Sequence, residues 1–139
     1  MKYFIFIISL VISNLSYSYE NNQLLLHNPA KKINFFDLKT LDGKKVDVAD
    51  KLIKKKLILV NFWATWCPPC IKEIPDLLNL KKRFERDIEI IFVSVDANPT
   101  KVIPKFLKKN ELENFQTYID KKLNLAKELK VKVMPTTLV

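Results

Sequence analysis

The stretch Val60-Asn61-Phe62-Trp63-Ala64-Thr65-Trp66-Cys67-Pro68-Pro69-Cys70-Ile71-Lys72-Glu73-Ile74-Pro75 decides how this chain is read. It opens inside the apolar run Leu57 to Phe62, with β-branched Ile58 and Val60. Such a run is the pattern of a central parallel strand covered on both faces. A turn bounded by tryptophans, Ala64 to Trp66, follows. The chain then places Cys67 and Cys70, its only two cysteines, at the start of a helix.

Two sulfurs separated by two residues on a first helical turn lie close enough to form a disulfide. Thiol–disulfide exchange also needs an ionised attacking sulfur. Cys67 at the N-cap meets that need, because the helix dipole favours a thiolate there. Pro68 and Pro69 suit the first turn, where backbone N–H groups lack intrahelical partners. An N-cap acceptor usually takes the N–H of the second or third helical residue. The second is Pro69, which has none, so Cys70 N–H is the expected donor to Cys67. Other readings carry less. A structural zinc site usually takes four Cys or His ligands, whereas this chain has two cysteines and one distant histidine, His27. A purely structural disulfide closing so small a loop adds little stability. A Cys–His nucleophile would need His27 to fold back from the leader.

Outward from this motif, strands and helices alternate. On the N-terminal side, Ile33 to Leu38 reads as a strand. Thr40-Leu41-Asp42-Gly43-Lys44 carries an Asp-Gly turn signal, and Val46 and Val48 alternate with polar residues as the return strand. Ala49 to Lys55 reads as a short helical turn. On the C-terminal side, Cys70 to Arg86 has a helical apolar stripe, with Pro75 expected to kink it. Ile88 to Val95 is a buried strand ending at Asp96. Asn98-Pro99 opens a helix that runs to about Asn110, with Pro104 bending or dividing it. Phe115 to Ile119 is a short strand. Asp120 caps a helix containing Leu123, Leu125, Ala126 and Leu129, and Thr136 to Val139 begins a strand. The order predicts an α/β domain with an N-terminal β-hairpin and a partly parallel sheet flanked by helices.

Met1 to Ser18 reads as a signal peptide: Lys2, the apolar Tyr3 to Ile12, then Ser16-Tyr17-Ser18 as a small-x-small cleavage pattern. An uncleaved membrane anchor is the alternative. Residues 19–32 form a polar leader, and 33–139 the folded domain. Export to an oxidising compartment, the periplasm, follows from either reading of the segment. The net charge is +9, from 24 basic and 15 acidic residues, and lysine dominates over arginine. Dispersed lysine without clustered arginine and aromatics argues against a nucleic-acid surface. The single glycine leaves no phosphate-cradling loop.

Phe62-Trp63-Ala64-Thr65-Trp66-Cys67-Pro68-Pro69-Cys70, with Pro75 and the downstream Met134-Pro135-Thr136, resembles the thioredoxin superfamily. The Thr-Leu-Asp-Gly-Lys hairpin and the export signal narrow the resemblance to the exported TlpA/ResA/DsbE-like branch. It covers residues 33–139 and implies a thioredoxin fold that stops before its final strand and helix, because the sequence ends inside a predicted strand. It implies Cys67 as attacking thiol and Cys70 as resolving thiol. Pro135 would be a cis-proline facing the disulfide, with Met134 backbone pairing to a substrate strand. Trp66 would shield the sulfurs, and Glu73 would assist proton transfer at Cys70. Asn61 stands where cytosolic thioredoxins carry a buried acid, and Asp96 is a possible substitute for that acid. The expected activity is that of an exported thiol–disulfide oxidoreductase, a reductant of specific protein disulfides of the cytochrome c maturation or copper-site assembly type. Its partners would be a protein with a disulfide or dithiol and a membrane electron donor. The chain would act as a monomer, with no metal and no cofactor beyond the Cys67–Cys70 pair. The alternatives are a disulfide-inserting oxidant and a non-catalytic binding module.

Overall fold

The computed structural model describes residues 38–46, 48, 55–112 and 114–139. The signal peptide, the leader with His27, the strand from Ile33 and the helical turn of 49–54 lie outside them, as does the boundary between leader and domain. The apolar run after Lys56 forms β1 (Leu57–Trp63). It leads into α1 (Pro68–Arg83), then β2 (Ile88–Ser94) and α2 (Pro99–Lys109). A two-residue β3 (Tyr118–Ile119), a short α3 (Asn124–Glu128) and β4 (Thr136–Leu138) complete the elements. The sheet order is β3-β2-β1-β4. β1 and β3 both run parallel to β2, and β4 runs antiparallel to β1. This is the thioredoxin-like α/β arrangement expected from the sequence.

Alternation along the strands explains why both faces are covered. Leu59, Trp63, Ile90 and Phe92 point to one face, where they join Ile74 of α1 and Ile103, Phe106 and Leu107 of α2. Val60, Phe62, Ile91 and Val93 point to the other, with Leu38, Val48, Tyr118, Leu125 and Leu129. Trp63 is fully buried. Its ring meets Phe115 edge-on at 5.3 Å, and its Nε1–H donates to Thr117 Oγ1 at 2.9 Å. Thr117 Oγ1–H in turn lies 3.2 Å from Phe92 carbonyl oxygen. Those bonds turn residues 115–117 away from the ladder, so the expected strand from Phe115 shrinks to Tyr118–Ile119.

The helices also differ from expectation. α1 starts two residues earlier than its apolar stripe, at Pro68, and ends at Arg83 rather than Arg86. Pro75 lies inside α1 and Pro104 inside α2, and neither divides its helix. Both prolines are exposed, so the carbonyl left unpaired four residues back lies on the solvent side of the helix. α1 ends on Lys81, Lys82 and Arg83, the charge that suits a helix C-terminus. Lys81 also pairs with Glu89 of β2 at 2.6 Å. The N-terminal hairpin is reduced, among the described residues, to isolated antiparallel bridges of Lys39 with Lys45 and with Ile119. Its turn is as expected: Gly43 takes φ +83°, and Gly43 N–H donates to Thr40 carbonyl oxygen at 2.9 Å. A hydrogen bond from Thr40 and the ammonium of Lys44 hold the Asp42 carboxyl at about 2, below its usual 3.8.

Asp120 caps α3 from a distance. Its Oδ1 accepts from Asn124 N–H at 2.8 Å and its Oδ2 from Ala126 N–H at 2.9 Å. Leu123, expected in the apolar set, instead sits left-handed at the N-cap position and is exposed. Because Asp120 is buried and both its oxygens are engaged, Asp120→Ala is expected to lower stability by about 2 kcal/mol in urea denaturation. An unchanged unfolding midpoint would contradict this capping role.

Candidate functional site

The site lies at the carboxyl end of β1, where the chain leaves the sheet for α1. Residues 64–67 make the connection, closed by Cys67 N–H to Ala64 carbonyl oxygen at 3.1 Å. Cys67 is the N-cap of α1, and Pro68 and Pro69 occupy its first two positions. Cys67 and Cys70 are joined in a disulfide, with Cα atoms 5.3 Å apart. Cys70 N–H donates to Cys67 Sγ at 3.3 Å, the donor expected once Pro69 is excluded. Cys67 keeps 4% of its surface exposed and Cys70 none. The N-cap sulfur is therefore the one with access to solvent, though a narrow one. Trp66, beside it, is 65% exposed.

The approach to Cys67 is fixed from below by Asp96, which is buried at the end of β2. Thr65 Oγ1–H donates to Asp96 Oδ1 at 2.8 Å, and Thr65 N–H donates to Oδ2 at 3.1 Å. Ser94 Oγ–H donates to Oδ2 at 2.9 Å. Asp96 is thus fully engaged in holding the turn. Sequence reasoning offered it as a replacement for the buried acid of thioredoxins. The structure gives it an anchoring role in which Thr65 and Ser94 are its partners, and neither partner was singled out from the sequence.

The acid near the cysteines comes from α1. Asn61 points to the same face as Leu59 and Trp63, the face that α1 covers. Its Nδ2 group donates to Glu73 Oε1 at 2.7 Å and to Thr137 Oγ1 at 2.9 Å. Asn61 is fully buried, and its Oδ1 has no hydrogen-bond partner among the described residues. Glu73 follows Cys70 by three residues, so the two share a helix face with β-carbons about 5–6 Å apart. Asn61 and Glu73, noted separately in the sequence, form one hydrogen-bonded cluster. Thr137 joins it because β4 pairs Thr137 directly with Asn61. The hint available in the sequence was Thr137's place two residues beyond Pro135.

The Met134–Pro135 peptide is cis, as the resemblance implied. Met134 packs against the core cluster that contains both cysteines. Thr136 Oγ1–H donates to Val133 carbonyl oxygen at 2.7 Å, bracing this turn, while Val133 projects into solvent.

Comparison with known proteins agrees with this architecture. A model of the AhpC/TSA family matches residues 29–139. The chain is 36% identical over 104 residues to the thiol-disulfide oxidoreductase ResA of Bacillus cereus, covering 73% of this chain and 57% of that protein. It is 33% identical over 103 residues to ResA of Bacillus subtilis, covering 73% and 55%. The chain therefore spans little more than half the length of these curated relatives. Among solved structures, StoA from Bacillus subtilis superposes with a TM-score of 0.54 at 28% identity, covering 72% of this chain and 74% of that one. A Chlorobium tepidum protein assigned as thiol:disulfide interchange protein DsbE superposes with a TM-score of 0.61 at 26% identity, covering 76% and 77%. The disulfide on the first turn of α1, the cis-proline before β4 and these likenesses agree with the thioredoxin-like resemblance, and the chain belongs to the AhpC/TSA family.

Proposed function

We propose that this protein is an exported thiol–disulfide oxidoreductase acting as a reductant of protein disulfides. The observation that carries the reading is the Cys67–Cys70 disulfide at the N-terminus of α1, with Cys70 N–H directed at Cys67 Sγ. In the dithiol form, the Cys67 thiolate attacks one sulfur of a substrate disulfide. A mixed disulfide forms, and the other substrate sulfur leaves as a thiolate that takes up a proton. Cys70 then loses its proton and attacks Cys67 Sγ. The second substrate thiol leaves, and the Cys67–Cys70 disulfide is restored. Two electrons have passed to the substrate, and a dithiol donor at the membrane returns them.

Glu73 is the group suited to accept the Cys70 proton, because Asn61 holds its carboxylate on the Cys70 side of α1. Pro135 and Met134 would present backbone to a substrate strand, and Trp66 would cover the approach to the sulfurs. Export rests on the apolar Met1 to Ser18 segment; the named relatives ResA and DsbE support the chemistry. A cysteine pair used for reduction in an oxidising compartment needs a dedicated donor, which favours a membrane partner over a diffusible one.

Three measurements test this reading. The reduction potential of the pair is expected near −270 mV, roughly that of thioredoxin. A value near −120 mV would make the protein an oxidant instead. Cys70→Ser is expected to accumulate a mixed disulfide with the natural substrate, visible by mass spectrometry and dissolved by reductant, whereas Cys67→Ser captures nothing. Full biological activity of Cys67→Ser would point to a binding module. Glu73→Gln is expected to slow turnover about 10²-fold and to alter the pH–rate profile, with the loss mainly in kcat. An unchanged profile would remove Glu73 from the proton path.

A further inference from the structure

A cavity of about 450 Å³ opens beyond the ends of β2 and β3, and lysines line it: Lys39, Lys45, Lys121 and Lys122. The fold itself gathers them. Lys39 is bridged to Lys45 across the N-terminal hairpin and to Ile119 at the end of β3. Lys121 and Lys122 follow directly on that strand. Like charges directly opposite each other across an antiparallel bridge are destabilising, and here two of the four cations are so placed. None of the four is in an ion pair with another described residue. Among the described residues the one acid lining the cavity is Asp120, and its carboxylate is turned inward with both oxygens accepting from the backbone of α3. The cavity is therefore cationic and uncompensated among the described residues.

Its position gives the charge a purpose. Asn98 and Pro99, which also line it, follow the end of β2, and Ile119 and Asp120 close β3. The three parallel strands β1, β2 and β3 thus deliver the disulfide and the cavity to the same edge of the sheet. Adjacent strands lie about 4.8 Å apart, so β3 ends about 10 Å from the strand that leads to Cys67. Crevices at the carboxyl ends of strands are where open α/β sheets bind their ligands.

We propose that this cavity docks an acidic segment of the polypeptide whose disulfide Cys67 attacks. The proposal rests on the redox reading above and adds to it the substrate class, a disulfide protein with clustered carboxylates near its cysteines. Charge complementarity supplies orientation and encounter rate, and apposed carboxylates relieve the Lys39–Lys45 repulsion.

The test uses the full chain and a labelled cysteine-free peptide carrying four glutamates, with its glutamine counterpart as control, by fluorescence anisotropy at low salt. The glutamate peptide is expected to bind at least about tenfold more tightly than the glutamine peptide. The K39Q/K45Q/K121Q/K122Q variant is expected to lose that preference. A variant with the same change in charge elsewhere, K82Q/K105Q/K108Q/K109Q, is expected to keep it. Equal binding of the two peptides would overturn the proposal, and so would equal loss of preference in both variants, which would assign the effect to net charge. Competition by phosphatidylglycerol vesicles through the same four lysines, with no preference among peptides, would reassign the cavity to a membrane surface. The peptide has no sulfur, so this readout does not depend on turnover. Peptide binding combined with an empty Cys70→Ser trap would reject the redox reading and leave the cavity as a docking site.

Discussion

Asp96 is the group on which the geometry of the cysteine pair depends. A buried carboxylate is costly unless its oxygens are occupied, and here the occupants are the hydroxyls of Ser94 and Thr65 and the Thr65 amide. One end of this network is the last residue of β2. The other is the turn that delivers Cys67 to the head of α1. The parallel pairing of β1 with β2 therefore sets the position of the helix N-terminus as well as the register of the sheet. Val95 N–H adds to the same junction by donating to Trp63 carbonyl oxygen at 3.0 Å.

Above that anchor, polar and apolar demands are separated by strand alternation. Trp63 fills the core with its ring and satisfies its one polar atom through Thr117. Asn61, two residues earlier on the same face, brings an amide into the same apolar layer. A neutral amide avoids the desolvation cost of a buried charge while still gripping Glu73, whose carboxylate enters from the more exposed helix side. The carboxylate gripped by Asn61 is then supplied by the same helix that carries the cysteines.

Much of this was legible in the chain. The apolar run of β1, the spacing of the cysteines and the missing N–H of Pro69 together gave the strand, the helix start and the donor to Cys67. The motif around Pro135 gave the cis peptide. Pro104 does not divide its helix, and a proline read from sequence carries no information about which side of a helix it faces; Pro75 and Pro104 both lie toward solvent. The length of β3 was overread because Thr117 looks like a strand residue, and only its tertiary partners, Trp63 and Phe92, show that it turns away. Asn61, Glu73 and Thr137 come from three elements, and Asn61 and Thr137 are 76 residues apart. No local pattern joins them; the strand register and the face of α1 do.

The Asn61 amide has two hydrogens, and each is committed to a different element: one to Glu73 on α1, the other to Thr137 on β4. The two hydrogens sit on one nitrogen of one planar amide, so the group cannot serve the two partners independently. A displacement of β4, on the side where Pro135 stands, rotates the donor presented to Glu73. A change at Glu73 is felt in turn at Thr137. Such coupling is reciprocal by thermodynamic necessity, so the helix carboxylate and the placement of the last strand share the orientation of one amide.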